Sequence, residues 1–366
     1  MDNSTQTIVK KFILLRLSTI PGLQIFFSLL FLLMYMVTFS GNLILIIVVQ
    51  FNTQLRTPMY FFLTNLAFID ICLSSTVVPK ILSNTLSSDQ SISFFGCAAQ
   101  LYFHLALGGS ECLLLAIMAY DRYIAICKPL RYNTIMDNTF CLCLAGGCWI
   151  VSFLNSFLLT FFTFRLPFCR SNIISHFFCE MPPLFHISCR DTWLNELMKY
   201  IAVGLIVLGS FMLILMSYLF ITLTILKIRS TRERQKAFST CASHLTVVTL
   251  YYGAIMFMHL RPRYSYSPEQ DRVVTVLYTV VTPMLNPIIY SIRNKDVKKA
   301  MQSANINQEG FEEHNKEIKM LTWSPNPNNL GWIIFDISWK ANLIHGHPSI
   351  DLFANVFSQV GKLQKA

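Results

Sequence analysis

Long runs of apolar residues, each closed by charged or turn-forming positions, set the pattern of this chain. Seven such windows lie near 24–49, 58–80, 95–120, 140–162, 197–226, 237–260 and 272–292. About 20 mostly apolar residues cross a roughly 30 Å hydrocarbon core as a helix. Helices suit that medium because every backbone N–H and C=O finds its partner inside the segment. A strand barrel would instead need alternating segments of about 10 residues, and the sequence shows no such alternation. The pattern therefore predicts an all-α membrane protein, a seven-transmembrane helix bundle.

Composition agrees. Apolar residues make up 54% of the chain and charged residues 13%, where soluble domains carry about 25% charged residues. The net charge of +10 would suggest nucleic acid in a soluble protein, but here the cations cluster at span ends. Arg56, Arg122, Lys128 and Arg131 follow the first and third spans, and Lys227, Arg229, Arg232, Arg234 and Lys236 lie between the fifth and sixth. Arg293, Lys295, Lys298 and Lys299 follow the seventh. Positive charge marks cytoplasmic ends, so an extracellular N-terminus, a cytoplasmic C-terminus and no nucleic-acid partner are expected. Lys10, Lys11, Arg16, Arg165, Arg170, Arg190, Arg261 and Arg263 on the other side dilute that bias. Asn3-Ser4-Thr5 is a glycosylation acceptor, which requires the N-terminus to enter the secretory lumen. Lys10, Lys11 and Arg16 interrupt any cleavable leader, so the first span is expected to act as signal anchor.

Eleven cysteines are present. Cys97 at the outer end of the third span, and Cys169, Cys179 and Cys189 in the loop after the fourth, face the oxidising side and can form two bridges. Four cysteines allow three pairings. Cys72, Cys112, Cys141, Cys143, Cys148 and Cys241 fall in apolar runs and are read as small buried hydrophobes.

Several polar residues interrupt the spans. Asp70 and Glu111 sit mid-span, where charge costs roughly 2.5 to 3.5 kcal/mol per group on insertion scales. Two ionised carboxylates in one bundle repel unless they are protonated or bridged by a cation. His104, Gly108 and Glu111 share one face of the third span, and Tyr252, Ile255, Met256 and His259 share one face of the sixth. Such stripes serve packing as readily as ligand binding. Asp121 and Arg122 close the third span.

An ordered set of motifs runs through to about residue 302. Gly41-Asn42 lies in the first span, Pro58-Met-Tyr-Phe-Phe-Leu63 followed by Asp70 and Cys72 in the second, and Met118-Ala-Tyr-Asp-Arg-Tyr-Ile-Ala-Ile-Cys127 closes the third. Lys236-Ala-Phe-Ser-Thr-Cys-Ala-Ser-His-Leu245 opens the sixth, and Pro283-Met-Leu-Asn-Pro-Ile-Ile-Tyr290 lies in the seventh. Together they resemble the olfactory branch of rhodopsin-like G-protein-coupled receptors, and Glu111-Cys112-Leu113 resembles its tetrapod-type division.

That resemblance implies a receptor without catalytic activity, placed in the plasma membrane of sensory cilia. Its partners would be a small volatile odorant, a stimulatory heterotrimeric G protein that raises cyclic AMP, and membrane lipids. It favours Cys97 with Cys179 and Cys169 with Cys189. It places a sodium ion at Asp70 and Asn286, with Glu111 joining them. Asp121, Arg122 and Tyr123, with Tyr218, Lys236, His244 and Tyr290, take the positions of the transducer-coupling switch. His104, Leu105, Gly108, Gly109, Ala202, Ile206, Val207, Tyr252, Ile255, Met256, His259, Val276 and Thr279 would line a largely apolar cavity suited to a small volatile ligand.

The chain departs from the family pattern in three places. His104 and His259 stand where aromatic residues are usual, and imidazoles can donate and accept hydrogen bonds, which favours an oxygenated or acidic odorant. His176-Phe-Phe-Cys-Glu180 has metal-ligand residue types, but a disulfide at Cys179 would remove that ligand. Residues 1–23 are read as an extracellular N-terminus and 24–302 as the receptor domain, ending in a short amphipathic helix over Asn294–Met301. Residues 303–366 are read as a disordered extension that resembles nothing familiar. Two alternatives remain: a receptor of the same class for an endogenous metabolite outside the nose, or a membrane transporter. The second lacks the internal repeat that many transporter folds show.

Overall fold

A computed structural model describes residues 9–17, 20–87, 89–169, 171–260 and 268–293. Asn3, the Asn294–Met301 segment and residues 303–366 lie outside the described residues, as do the side chains of Lys236 and His259.

Seven helices are long and apolar enough to cross a membrane. They are α1 (Pro21–Phe51), α2 (Pro58–Leu86), α3 (Phe94–Cys127), α4 (Asn138–Phe164), α5 (Trp193–Leu226), α6 (Thr231–Leu260) and α7. The last runs through Pro268–Val276, a π-helical turn at Leu277–Val281, and Thr282–Arg293. Most extend a few residues beyond their apolar windows, because a helix continues into the polar boundary where caps stop it. Proline opens α1 and α2 at positions where no intrahelical N–H bond is lost. The Ser93 hydroxyl accepts from the N–H of Gly96 at the start of α3, and Asp137 accepts from that of Phe140 at the start of α4.

Apolar side chains point two ways. Leu33, Ile150, Leu154, Leu205 and Leu213 are more than half exposed, forming a belt far larger than a soluble surface tolerates. The buried centre belongs to α3, whose apolar window is 61% buried against 22% for α1. It packs on α2, α4 and α5, while α1 packs on α2 and α7. The contact with α7 is close: a Cβ at Gly41 would come within 3.1 Å of the Pro287 ring. Beside it the Asn42 amide donates to the Pro283 carbonyl at 3.1 Å.

One end of the bundle carries structure that the apolar pattern did not predict. Strand β1 (Lys11–Leu14) pairs antiparallel with β2 (Ser91–Ser93) and parallel with β3 (Ile173–Ile174). This small sheet adds to the predicted helical bundle without changing its class. Phe12 and Leu14 from this sheet are fully buried with Leu101, Phe168, Ile174 and Leu184. Two disulfides hold the same end, Cys97–Cys179 and Cys169–Cys189, with Cα separations of 5.5 and 5.7 Å. These are the pairings that the family resemblance implied.

Candidate functional site

Three groups of polar residues interrupt the apolar bundle, one near its middle, one toward Arg122 and one beneath the disulfide-bonded loop. At the middle, Asp70 and Glu111 are completely buried. The Asn286 amide donates to both Asp70 oxygens, at 3.1 and 2.9 Å. Neither Glu111 carboxylate oxygen has a hydrogen-bond partner, and Asn286 Oδ1 is also unsatisfied. Tyr251 stands beside Glu111 but directs its proton to the Gly108 carbonyl at 2.7 Å. Buried acceptors without donors are costly, and acceptors gathered in this way are the donor set a small hard cation takes. The residues therefore fit a sodium ion.

Toward the other end, His244 ties three helices together. Its Nδ1 lies 2.8 Å from the Tyr218 hydroxyl of α5 and its Nε2 lies 3.1 Å from the Leu115 carbonyl of α3. A carbonyl only accepts, so a neutral ring satisfies both contacts when Nε2 carries its proton and Tyr218 donates. Arg122 and Asp121 are buried nearby at 5% and 2% exposure. Asp121 accepts at 2.8 Å from Tyr132, which lies just beyond the Pro129–Arg131 turn. Burial and the adjacent Asp121 push the Tyr132 phenol above its ordinary range. Tyr123 packs on Phe220, its ring also facing the Lys128 ammonium. The Tyr290 hydroxyl is buried and unsatisfied.

Of the expected ligand-lining residues, Val207 and Met256 line a groove, and most of the other described ones are packed against neighbouring helices. Tyr252 is buried, its hydroxyl 2.7 Å from Ser210 Oγ of α5 and 3.0 Å from the Cys112 carbonyl of α3. His104 stacks edge-on to Phe178 at 4.9 Å and near Tyr278 at 5.9 Å, with Nδ1 unsatisfied. Val207 and Met256 line an open groove beside α5, and Ile255, next to Met256 in sequence, is buried. Six residues sit in packing instead. Gly109 faces Ser152 of α4, where a Cβ would come within 3.2 Å of the hydroxyl, with Ile206 beyond at 3.9 Å. Leu105 and Ala202 pack on the disulfide-end core. Val276 packs with Phe31, Val77 and Phe178, and Thr279 donates to the Thr275 carbonyl one turn earlier. The Gly108 position opens toward the Tyr251 hydroxyl, 3.7 Å from a Cβ placed there.

Beneath the loop lies a polar cluster that the sequence pattern left unassembled. Glu180, Lys199 and Asp271 come from the loop, α5 and α7, and each is at least nine-tenths buried. They interact electrostatically with one another. His176 Nε2 is 3.7 Å from Glu180. Burial first, then Arg272 and His104, depress the imidazole to about 3, so that contact joins a neutral ring to a carboxyl and is no ion pair. Burial first, then Asp271, raises the Glu180 carboxyl to about 7, with Lys199 opposing. Among the described residues no group of three His, Cys, Asp or Glu could hold a metal ion; Cys179 is taken by its disulfide. The signal available in sequence was Lys199, a lone cation within the apolar run of α5.

Comparison with known proteins accounts for the combination. A family model described as olfactory receptor matches residues 31–308. The chain is 47% identical over 302 residues to Olfactory receptor 5AR1 of Mus musculus, covering 82% of this chain and 97% of that protein. It is 49% identical to Olfactory receptor 8H1 and to Olfactory receptor 5B12 of Homo sapiens, covering 82% of this chain and 96% of each. With seven membrane-length helices, this multi-pass membrane protein belongs to the olfactory receptor family of rhodopsin-like G-protein-coupled receptors, which are odorant receptors and not enzymes.

Proposed function

We propose that a small volatile organic ligand enters the bundle among α3, α5 and α6 and shifts it toward a state that activates a stimulatory heterotrimeric G protein, raising cyclic AMP. The receptor would work at the plasma membrane of sensory cilia, with its N-terminus, glycosylated at Asn3, outside the cell. The observation that carries this reading is the double attachment of α6. Tyr252 fastens it to α3 and α5 at the level of Cys112 and Ser210, and His244 fastens it to the same two helices two turns nearer Arg122. A ligand that competes for Ser210 or the Cys112 carbonyl weakens the first attachment. A helix held at two points then needs only the second to open. A ligand moves such an equilibrium by its difference in affinity for the two states.

In this reading His104, Gly108, Val207, Tyr252, Ile255 and Met256 contact the ligand, with His259 nearer the helix end. Asp121, Arg122, Tyr123, Tyr218, Lys236, His244 and Tyr290 form the coupling switch. Asp70, Glu111 and Asn286 hold sodium in the resting state. Expression with a stimulatory G protein and a cyclic AMP reporter, against a panel of acids, aldehydes and alcohols, tests the proposal. A ligand-dependent rise that Arg122→Ala abolishes, with surface expression unchanged, is expected. A rise that survives Arg122→Ala would overturn the assignment of the switch, and silence across the panel despite surface expression would overturn the odorant reading.

A further inference from the structure

A groove runs along α5 on its side toward α6. Lys199, Tyr200, Val203, Gly204, Val207 and Leu208 form its length and Met256 closes it from α6. The first and last of these α5 residues are nine apart, so at 1.5 Å per residue the groove follows about 13 Å of helix. Its wall is apolar except at one end, where the Lys199 ammonium stands 4.4 Å from the Tyr200 ring centroid. Midway, a Cβ on Gly204 would meet nothing within 4 Å. The groove is therefore unobstructed at Gly204, and the one cation that lines it stands at its head. Lys199 is only 7% exposed, so its charge acts in a medium that screens poorly.

We propose that this groove binds an unbranched alkyl carboxylate, its head on the Lys199 ammonium and its tail along Val203, Gly204 and Val207 to Met256. The proposal rests on the receptor reading, with which it shares the contacts Val207 and Met256, and it moves the ligand's head to Lys199 and names the ligand class. It has a second consequence, because Lys199 does not stand alone. Glu180 and Asp271 interact with it, His176 and Tyr278 face Glu180, and Arg272 faces His176. With Glu180 ionised, two cations and two carboxylates balance. A third carboxylate then leaves one excess negative charge in a buried cluster. Protonation of Glu180 restores the balance, and its carboxyl already sits near 7. Binding of the acid is thus linked to proton uptake, while an alcohol or ester of the same length carries no such linkage.

The test uses the full chain in two assays. In the first, cyclic AMP is measured against butanoic, octanoic and hexadecanoic acids, octanol and methyl octanoate at external pH 6, 7 and 8. In the second, octanoate is titrated into the purified receptor in nanodiscs and thermal stabilisation is recorded, which reads binding without any G protein. Octanoic acid is expected to exceed butanoic acid and octanol, with an EC50 up to about tenfold lower at pH 6 than at pH 8, the limit for one linked proton on a carboxyl that sits at about 7 in the free receptor. Lys199→Met removes the preference for acid over alcohol, Lys199→Arg restores it, and Glu180→Gln makes the acid response flat with pH. Gly204→Leu blocks octanoate more than butanoate. A hexadecanoate response with none to octanoate assigns the same chemistry to a membrane lipid rather than a volatile acid. Octanoate stabilisation that is unchanged in Lys199→Met, or absent in the wild type, overturns the site. Stabilisation lost in Lys199→Met while every cyclic AMP response is silent keeps the site and rejects the receptor coupling instead.

Discussion

At the scale of single residues, the buried polar groups divide by whether sequence spacing alone could relate them. Asp70 and Glu111 stood out in the sequence, because a carboxylate in a hydrocarbon-length run is costly enough to mark a candidate site wherever it occurs, whereas Asn286 entered only through the family resemblance. The bond from Tyr132 to Asp121 was not, since it depends on the Pro129–Arg131 turn folding the chain back on α3. A hydrogen bond to a charged acceptor contributes about 1.5 to 3 kcal/mol, and this one anchors the α3–α4 connection beside Arg122. Tyr132→Phe keeps the ring and removes the bond. The maximal cyclic AMP response should drop several-fold while ligand EC50 in a binding assay stays within twofold. Superimposable dose-response curves for the variant and the wild type would dismiss the anchor.

At the scale of elements, seven helices follow from seven apolar windows, and their ends follow from caps that the windows could not resolve. The sheet escaped the pattern for a physical reason: β1 is four residues long and β3 two. Segments so short carry no periodicity of their own, and their stability comes from Phe12 and Leu14 packing into a core that other parts of the chain supply. The disulfide between Cys97 and Cys179 fixes that core, joining the start of α3 to the loop that carries β3 and Glu180. Removing such a bond costs about 2 to 5 kcal/mol. Cys97→Ser and Cys179→Ser should each reduce surface labelling by most of its value, and the double variant should be no worse than either alone, as two ends of one bond require. Additive losses would mean that the two thiols act separately.

At the scale of the whole molecule, the centre and the two ends are joined through α3, which contributes His104, Glu111 and Arg122 in turn along one helix. Glu111 is the position where an ion can act on both ends. Its unsatisfied oxygens, together with Asp70 and the unsatisfied Asn286 Oδ1, form a site whose occupant would neutralise two buried carboxylates. Any species that binds one state more tightly stabilises that state, by about 2.7 kcal/mol at a hundred times its dissociation constant. If sodium occupies the resting bundle, replacing choline by sodium at constant ionic strength should raise the melting temperature of the purified receptor by several degrees. It should also move agonist EC50 upward, because the ligand then works against the ion. Glu111→Gln should remove both effects and leave the melting temperature in choline equal to or above that of the wild type, since the variant no longer buries an uncompensated acid. Equal melting curves in sodium and choline would instead mean that the two carboxyls share a proton, and that α3 carries the signal without an ion.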